Sequence, residues 1–205
     1  MIITAEKAGK RFNREWIFRN FNYSFSKGTV YAITGPNGSG KSTLLQVLWG
    51  QLPSTQGTVQ YLENNTQLSA DQWFSRLAIA APYMDLIEEF TLTEMVNFHF
   101  KFKTARTPAS TAELIARMQL SRAAGKPLRS FSSGMRQRVK LALALYTNAD
   151  VLFLDEPGTN LDQRALEWYQ KELEQIAPYT LTFVASNQTQ EFPATAEKLS
   201  ILDFK

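Results

Sequence analysis

The 205-residue chain reads as an α/β protein: a β-rich opening, a core of buried strands, and a helical segment inserted between the two halves of that core. Three observations predict this. A β-branched apolar run, Thr29–Thr34, leads through a glycine-rich loop into a stretch from Ser42 to Trp49 with apolar residues at 44, 45, 47 and 48. A second compact apolar run, Val151–Leu154, ends in two acids. Between about Tyr83 and Leu145 the hydrophobic pattern becomes helical.

In order along the chain, two β-like segments come first, Ile2–Ala5 and about Trp16–Phe25, the latter with Phe21, Tyr23 and Phe25 on alternate positions. Lys27-Gly28 is a turn before the Thr29–Thr34 strand. Gly50 to Gly57, with Pro53 and Ser54, is a loop. Thr58–Leu62 is a short strand, followed by a polar turn at Glu63-Asn64-Asn65. Ser69 is placed to cap a short helix at 70–76, and Leu77–Ala81 is a short strand. Thr93 to Phe102, Thr111 to Leu120 and Ser133 to Tyr146 are helices. Asp162 to Ile176 is an amphipathic helix that stops before Pro178. Thr180–Ala185 is a strand, and Leu199–Phe204 is the last one. One domain over 1–205 is expected, with a β region plus α/β core in 1–82 and 146–205 and a helical subdomain in 83–145.

Composition excludes several chemistries. With no Cys there is no disulfide, thiolate metal site or Cys nucleophile. The single His, His99, rules out a His-based metal cluster or a Ser-His-Asp triad, and reads as a surface or packing residue. Hydrophobic residues at 44% and charged residues at 20% are those of a soluble globular protein. No apolar run approaches the roughly 18–20 residues that span a bilayer, and Met1 leads into a polar segment. A cytoplasmic protein is therefore expected. The net charge of +3 is mild: it suits anionic ligands or a membrane surface, but such an excess is usually a solvated face, and no nucleic-acid partner is expected.

The glycine loop names a ligand. Gly35-Pro36-Asn37-Gly38-Ser39-Gly40-Lys41-Ser42 has two glycines bracketing four residues, then Lys-Ser. Triphosphate oxygens need many donors in a small volume, and only a backbone with little side-chain bulk wraps that closely. Lys41 places an ammonium at the β and γ oxygens, and Ser42 offers a hydroxyl to Mg²⁺. Ser42 and Thr43 open a helix whose N-terminal N–H groups and dipole favour an anion. Asp155, at the carboxyl end of Val151–Leu154, is the expected Mg²⁺-holding carboxylate. Glu156 beside it is placed to polarise an attacking water. The predicted ligands are thus ATP and Mg²⁺.

A third segment, Phe131-Ser132-Ser133-Gly134-Met135-Arg136-Gln137-Arg138, opens a helix shortly before the acidic strand. With these three segments in this order, the chain resembles the ATP-binding-cassette (ABC) ATPases, P-loop NTPases with an N-terminal antiparallel β region and an inserted helical subdomain. The resemblance spans essentially the whole chain. It implies that Ser132, Ser133 and Gly134 form a signature serving the γ-phosphate bound by the opposite subunit, with Ser133 and Met135 replacing the usual Gly and Gln. It places Phe12 where an aromatic stacks on adenine, with Trp16 as a rival, and Asn160-Leu161-Asp162 in the loop that reports across the dimer. Asp162 also reads as a helix N-cap. Two positions depart from the family. Pro82-Tyr83 stands where a Gln usually touches Mg²⁺, and Asn187 stands where a His usually contacts the γ-phosphate. Asn187 is still taken as the catalytic residue of that loop, with hydrolysis expected to be slow. The resemblance implies a homodimer or heterodimer of cassettes beneath transmembrane permease subunits at the inner face of the membrane. The short chain is similar to small exporter cassettes such as haem-exporter ATPases. The alternative is an ATP-dependent switch that barely hydrolyses. The dense apolar residues Met84, Leu86, Ile87, Phe90, Phe98, Phe100 and Phe102 are either the subdomain's own core or a groove for a partner's helix.

Overall fold

The computed structural model describes residues 1–205. Strands β1 (Ile2–Phe12) and β2 (Glu15–Ser26) form an antiparallel hairpin. β1 runs well beyond the expected Ile2–Ala5. Bulges after Ala5 and Ala8, with Lys7 in a left-handed conformation, break the alternation that would have revealed its second half. Phe21 and Phe25 of β2 are fully buried and Tyr23 between them is half-buried, which makes the aromatic alternation readable; Phe18 is also fully buried but out of step with it.

Strand β3 (Val30–Thr34) leads into helix α1 (Lys41–Leu48). β4 (Gln56–Glu63) pairs with β1, and the two-residue β5 (Thr66–Gln67) folds back on it. Asn64 and Asn65 both take positive φ there, the geometry a tight hairpin needs. Helix α2 (Ala70–Ser75) is capped by Ser69, whose hydroxyl accepts from the Gln72 backbone while the Gln72 side chain accepts from Ser69. β6 (Leu77–Ala80) follows.

The helical part holds α3 (Leu92–Phe102), α4 (Thr111–Arg117) and α5 (Ser133–Tyr146). α4 stops short of the expected Leu120, and Gln119 beyond it turns to φ 59. β7 (Val151–Asp155), α6 (Gln163–Ile176), β8 (Leu181–Ala185) and β9 (Glu197–Ser200) complete the chain. The sequence pattern places the last strand at Leu199–Phe204. Instead Ile201–Phe204 is a 3₁₀ turn that buries Ile201 and packs Phe204 edge-on against Phe21.

The strands form two sheets. One is antiparallel in the order β2-β1-β4-β5, the other parallel in the order β6-β7-β8-β3-β9. Both faces of the parallel sheet are covered. Val151 and Phe153 of β7 join one apolar cluster with α1 and the antiparallel sheet, while Leu152 and Leu154 join the other with α3 to α6. That double burial explains why β7 reads as an unbroken apolar run rather than an alternating one. The second cluster continues from the parallel sheet into the helical segment. Of the aromatic-rich stretch, Leu86, Ile87, Phe90 and Phe100 pack against this cluster, whereas Met84, Phe98 and Phe102 are exposed.

Candidate functional site

The carboxyl ends of the parallel strands converge on one edge, where α/β sheets bind ligands. β3 delivers the glycine loop, β7 delivers Asp155 and Glu156, and β8, which lies between β3 and β7, delivers Ser186-Asn187. Tyr83 follows β6 on the far side.

Within the loop, Lys41 is 4% exposed and its Nζ donates to the carbonyls of Gly35 at 3.0 Å and Pro36 at 3.2 Å. The ammonium is thus folded back across the loop's concavity. Gly40 adopts φ 103, and a Cβ there would collide with Ile17 of β2. No side chain caps α1, so its first N–H groups stay available to an anion. The Ser39 hydroxyl is buried without a partner. Lys205 donates from outside to the Ser39 carbonyl at 2.8 Å. The contacts of Ile17 and Lys205 reach across the fold and leave no local pattern in the sequence.

Asp155 is 1% exposed, and neither carboxylate oxygen makes a hydrogen bond of normal geometry, although the Ser42 hydroxyl stands close enough to favour its charge. A buried carboxylate with no partner is costly unless a cation joins it. Burial pushes its pKa up; the neighbouring Ser42 hydroxyl pulls it down, Glu156 raises it further and Lys41 lowers it. Ser42 and Asp155 therefore fit a hard divalent cation that keeps water and phosphate oxygens as its other ligands. No cluster of three or more His, Cys, Asp or Glu offers a rival site. Glu156 is partly exposed, and its backbone is held at φ 46. Asn187 lies over the glycine loop, its Nδ2 donating to Asn37 Oδ1 at 3.3 Å.

Tyr83 is 45% exposed and leans toward Trp49, just past the end of α1, ring centres 6.5 Å apart. Partial burial pushes its phenol up to about 12, against a lowering by Gln46 and with a further rise from Asp155. Phe12 is exposed at the tip of the β1–β2 hairpin, with Lys10 Nζ 5.1 Å from its ring centre. Trp16 lies under Arg11 and against Gly9.

Ser132 caps α5 by accepting from the Met135 backbone at 3.2 Å. Gly134 lies so close to the Asn160 carbonyl that a Cβ would sit 2.6 Å from it. Ser133, Thr159 and Asn160 share a polar cavity of about 480 Å³ with Arg136 and Lys140, and no residue of the glycine loop lines it. The structure thus brings together Gly35–Thr43, Asp155, Glu156 and Asn187, and sets Ser132–Gly134 apart, beside Asn160. Asp162 caps α6, accepting from the Ala165 backbone at 2.8 Å.

A protein-family model described as ABC transporter matches residues 18–159. The chain belongs to the ABC transporter family. Among curated relatives of this ABC family member, the daunorubicin resistance ATP-binding protein DrrA3 of Streptomyces coeruleorubidus is 30% identical over 98% of the chain and 65% of its own length. The Nod factor export ATP-binding protein I of Ralstonia nicotianae is 28% identical over 97% of the chain and 62% of its own length. The chain thus spans less than two thirds of either relative. The lantibiotic transport ATP-binding protein SrtF of Streptococcus pyogenes is 28% identical over 91% of the chain and 80% of its own length. Among solved structures, the dimeric bacterial ABC transporter cassette MJ0796 superposes with a TM-score of 0.79 at 22% identity, covering 97% of this chain and 94% of that one. No helix of the ABC family member described here is long and apolar enough to cross a membrane.

Proposed function

We propose that this chain is the ATP-binding and ATP-hydrolysing subunit of an ABC transporter. The observation that carries this is the unpartnered, buried carboxylate of Asp155 one strand away from the glycine loop, completing a site for a metal-bound triphosphate. Gly35 to Thr43 would cradle the phosphates, Lys41, now donating to two loop carbonyls, would serve the β and γ oxygens, and Ser42 with Asp155 would hold Mg²⁺. When bound, Mg²⁺ neutralises charge on the phosphate oxygens. Glu156 orients and polarises the attacking water, and Phe12 supplies a stacking face for adenine. Asn187 donates an amide hydrogen toward the γ-phosphate but brings no charge, so turnover is slow.

Two cassettes enclose ATP between one glycine loop and the other's Ser132–Gly134. The cassette engages transmembrane subunits through the apolar groove of about 280 Å³ beside β6, which includes Met84, Leu86, Met95 and Leu143, and so works peripherally at the inner face of the membrane. A second reading, an ATP-dependent switch that barely hydrolyses, is favoured by Asn187 already being hydrogen-bonded to Asn37.

Phosphate release by the purified chain separates the readings. The wild type releases phosphate with Mg-ATP, while Glu156→Gln binds a fluorescent ATP analogue equally well and loses turnover by a hundred-fold or more, on the order expected for a general base. Equal rates in the two proteins would remove Glu156 from the catalytic role, and no release by either would favour the switch.

A further inference from the structure

Asp155 and Glu191 are the two buried carboxylates of this chain, and the chemistry above uses only the first. Glu191 ends the 3₁₀ turn Thr189–Glu191, four residues beyond Asn187, and is 1% exposed. Its backbone is anchored on both sides. The Tyr169 hydroxyl of α6 donates to its carbonyl at 2.8 Å, and its own N–H donates to Gln188 at 3.1 Å. Its side chain reaches away from solvent to the loop that follows Glu156. The carboxylate stands against the Gly158 backbone, so tightly that a Cβ on Gly158 would overlap Oε1 and lie 2.7 Å from the carboxyl carbon. Oε2 has no partner.

Gly158 belongs to the short turn that fixes Glu156. Thr159 N–H donates to the Glu156 carbonyl at 3.2 Å, Leu161 N–H to that of Gly158 at 3.0 Å, and Glu156 N–H to Ala185 of β8 at 2.9 Å. Glu156 itself is left-handed, a conformation a non-glycine residue keeps only when its surroundings impose it. A buried carboxylate wedged under this turn, and carried by the loop that bears Asn187, is such a constraint. Burial pushes the Glu191 pKa up; Ser186 and the Gly158 backbone draw it down, Glu156 raises it and Lys41 lowers it, as expected of a group inside the site's electrostatic field.

We propose that Glu191 is a positioning residue for hydrolysis: its carboxylate braces the Gly158 turn and so holds Glu156 in register with the Asn187 loop. This rests on the hydrolytic reading above. No hydrogen bond or ion pair joins its side chain to the glycine loop, so its loss should act on kcat and spare nucleotide binding.

The test compares wild type with Glu191→Ala, Glu191→Gln and Gly158→Ala. It follows phosphate release, affinity for a fluorescent ATP analogue, thermal unfolding, and amide hydrogen exchange over residues 156–161. Glu191→Ala and Gly158→Ala should each lower kcat roughly ten-fold, leave KM and affinity within about two-fold, and speed exchange in that segment. Glu191→Gln keeps the shape and the Oε1 acceptor, and should recover at least about half the wild-type kcat. If Glu191→Ala fails to fold, Gly158→Ala decides, since it disturbs the same contact with Glu191 still present. Wild-type kcat in Gly158→Ala, a loss confined to affinity, or Glu191→Gln as inactive as the alanine variant would each overturn the brace. A wild type that releases no phosphate sinks the hydrolytic reading instead, and unchanged exchange in Gly158→Ala would then overturn the brace on its own.

Discussion

Asn187 holds much of what distinguishes this chain's chemistry. Its amide reaches the glycine loop through Asn37, 150 residues away in sequence, so the position faces that loop. What it lacks is charge and a proton that exchanges near neutral pH. Asn187→His should therefore raise steady-state phosphate release, by about ten-fold for a graft into an unadapted site, and adding Tyr83→Gln should raise it further. Rates at or below wild type in both variants would mean that the Asn187–Asn37 pair already positions the γ-phosphate. Lys41, Ser42, Asp155 and Glu156 stand out in the sequence because the chemistry proposed for them demands fixed spacing along the chain. Glu191 was not. A single acid in a polar loop looks solvated until the fold buries it against Gly158.

The elements were legible where one face is buried and less so elsewhere. The capping boxes Thr91/Glu94 and Ser110/Glu113 are written in the chain as Thr or Ser followed three residues later by Glu, and each fixes a helix start. β9 lies at a sheet edge with Glu197 and Lys198 exposed, so it carried no apolar alternation to read. His99 belongs to the seam between α3 and α5. Its Nε2 lies 2.8 Å from Thr147 Oγ1, which itself donates to the Leu143 carbonyl at 2.7 Å. The imidazole is therefore the donor, with its proton on Nε2. Burial, reinforced by Lys103, lowers its pKa to about 4. The unfolded chain takes up a proton near pH 6.5, while the folded chain resists until about 4. Stability from this group is complete above about pH 6.5 and is lost as pH falls toward 4, amounting to about 2–3 kcal/mol. His99→Gln keeps a donor and cannot titrate. Chemical denaturation at pH 7 and pH 4.5 should show a clearly smaller drop in the variant, and an equal drop would place the acid sensitivity elsewhere.

At the scale of the whole molecule, Ser132–Gly134 sit beside Asn160 while the glycine loop lies at the end of β3, and the polar cavity around Ser133 contains no glycine-loop residue. A site that uses both sets for one nucleotide therefore calls for two copies or a homologous partner. Glu156→Gln, by blocking turnover, should accumulate as an ATP-dependent dimer. Light scattering should show the mass doubling with Mg-ATP, and little change for the same protein without nucleotide. A mutant that stays monomeric at high protein and ATP concentrations would count against a homodimeric sandwich and for a heteromeric one.

The sequence by itself determined the class of fold, the glycine loop, the carboxylate pair and the order in which they arrive. Those features depend on local periodicity and on spacings of a few residues. Only the tertiary structure decided which side chains share a site. The strand order β7-β8-β3 puts Asn187 between Asp155 and the glycine loop, packing of the antiparallel sheet sets Ile17 of β2 against Gly40, and the loop after β8 brings Glu191 against Gly158. Each of these joins segments tens of residues apart or more. Packing selects such pairs through volume and burial, which are properties of the assembled sheet and are written at no single place in the chain.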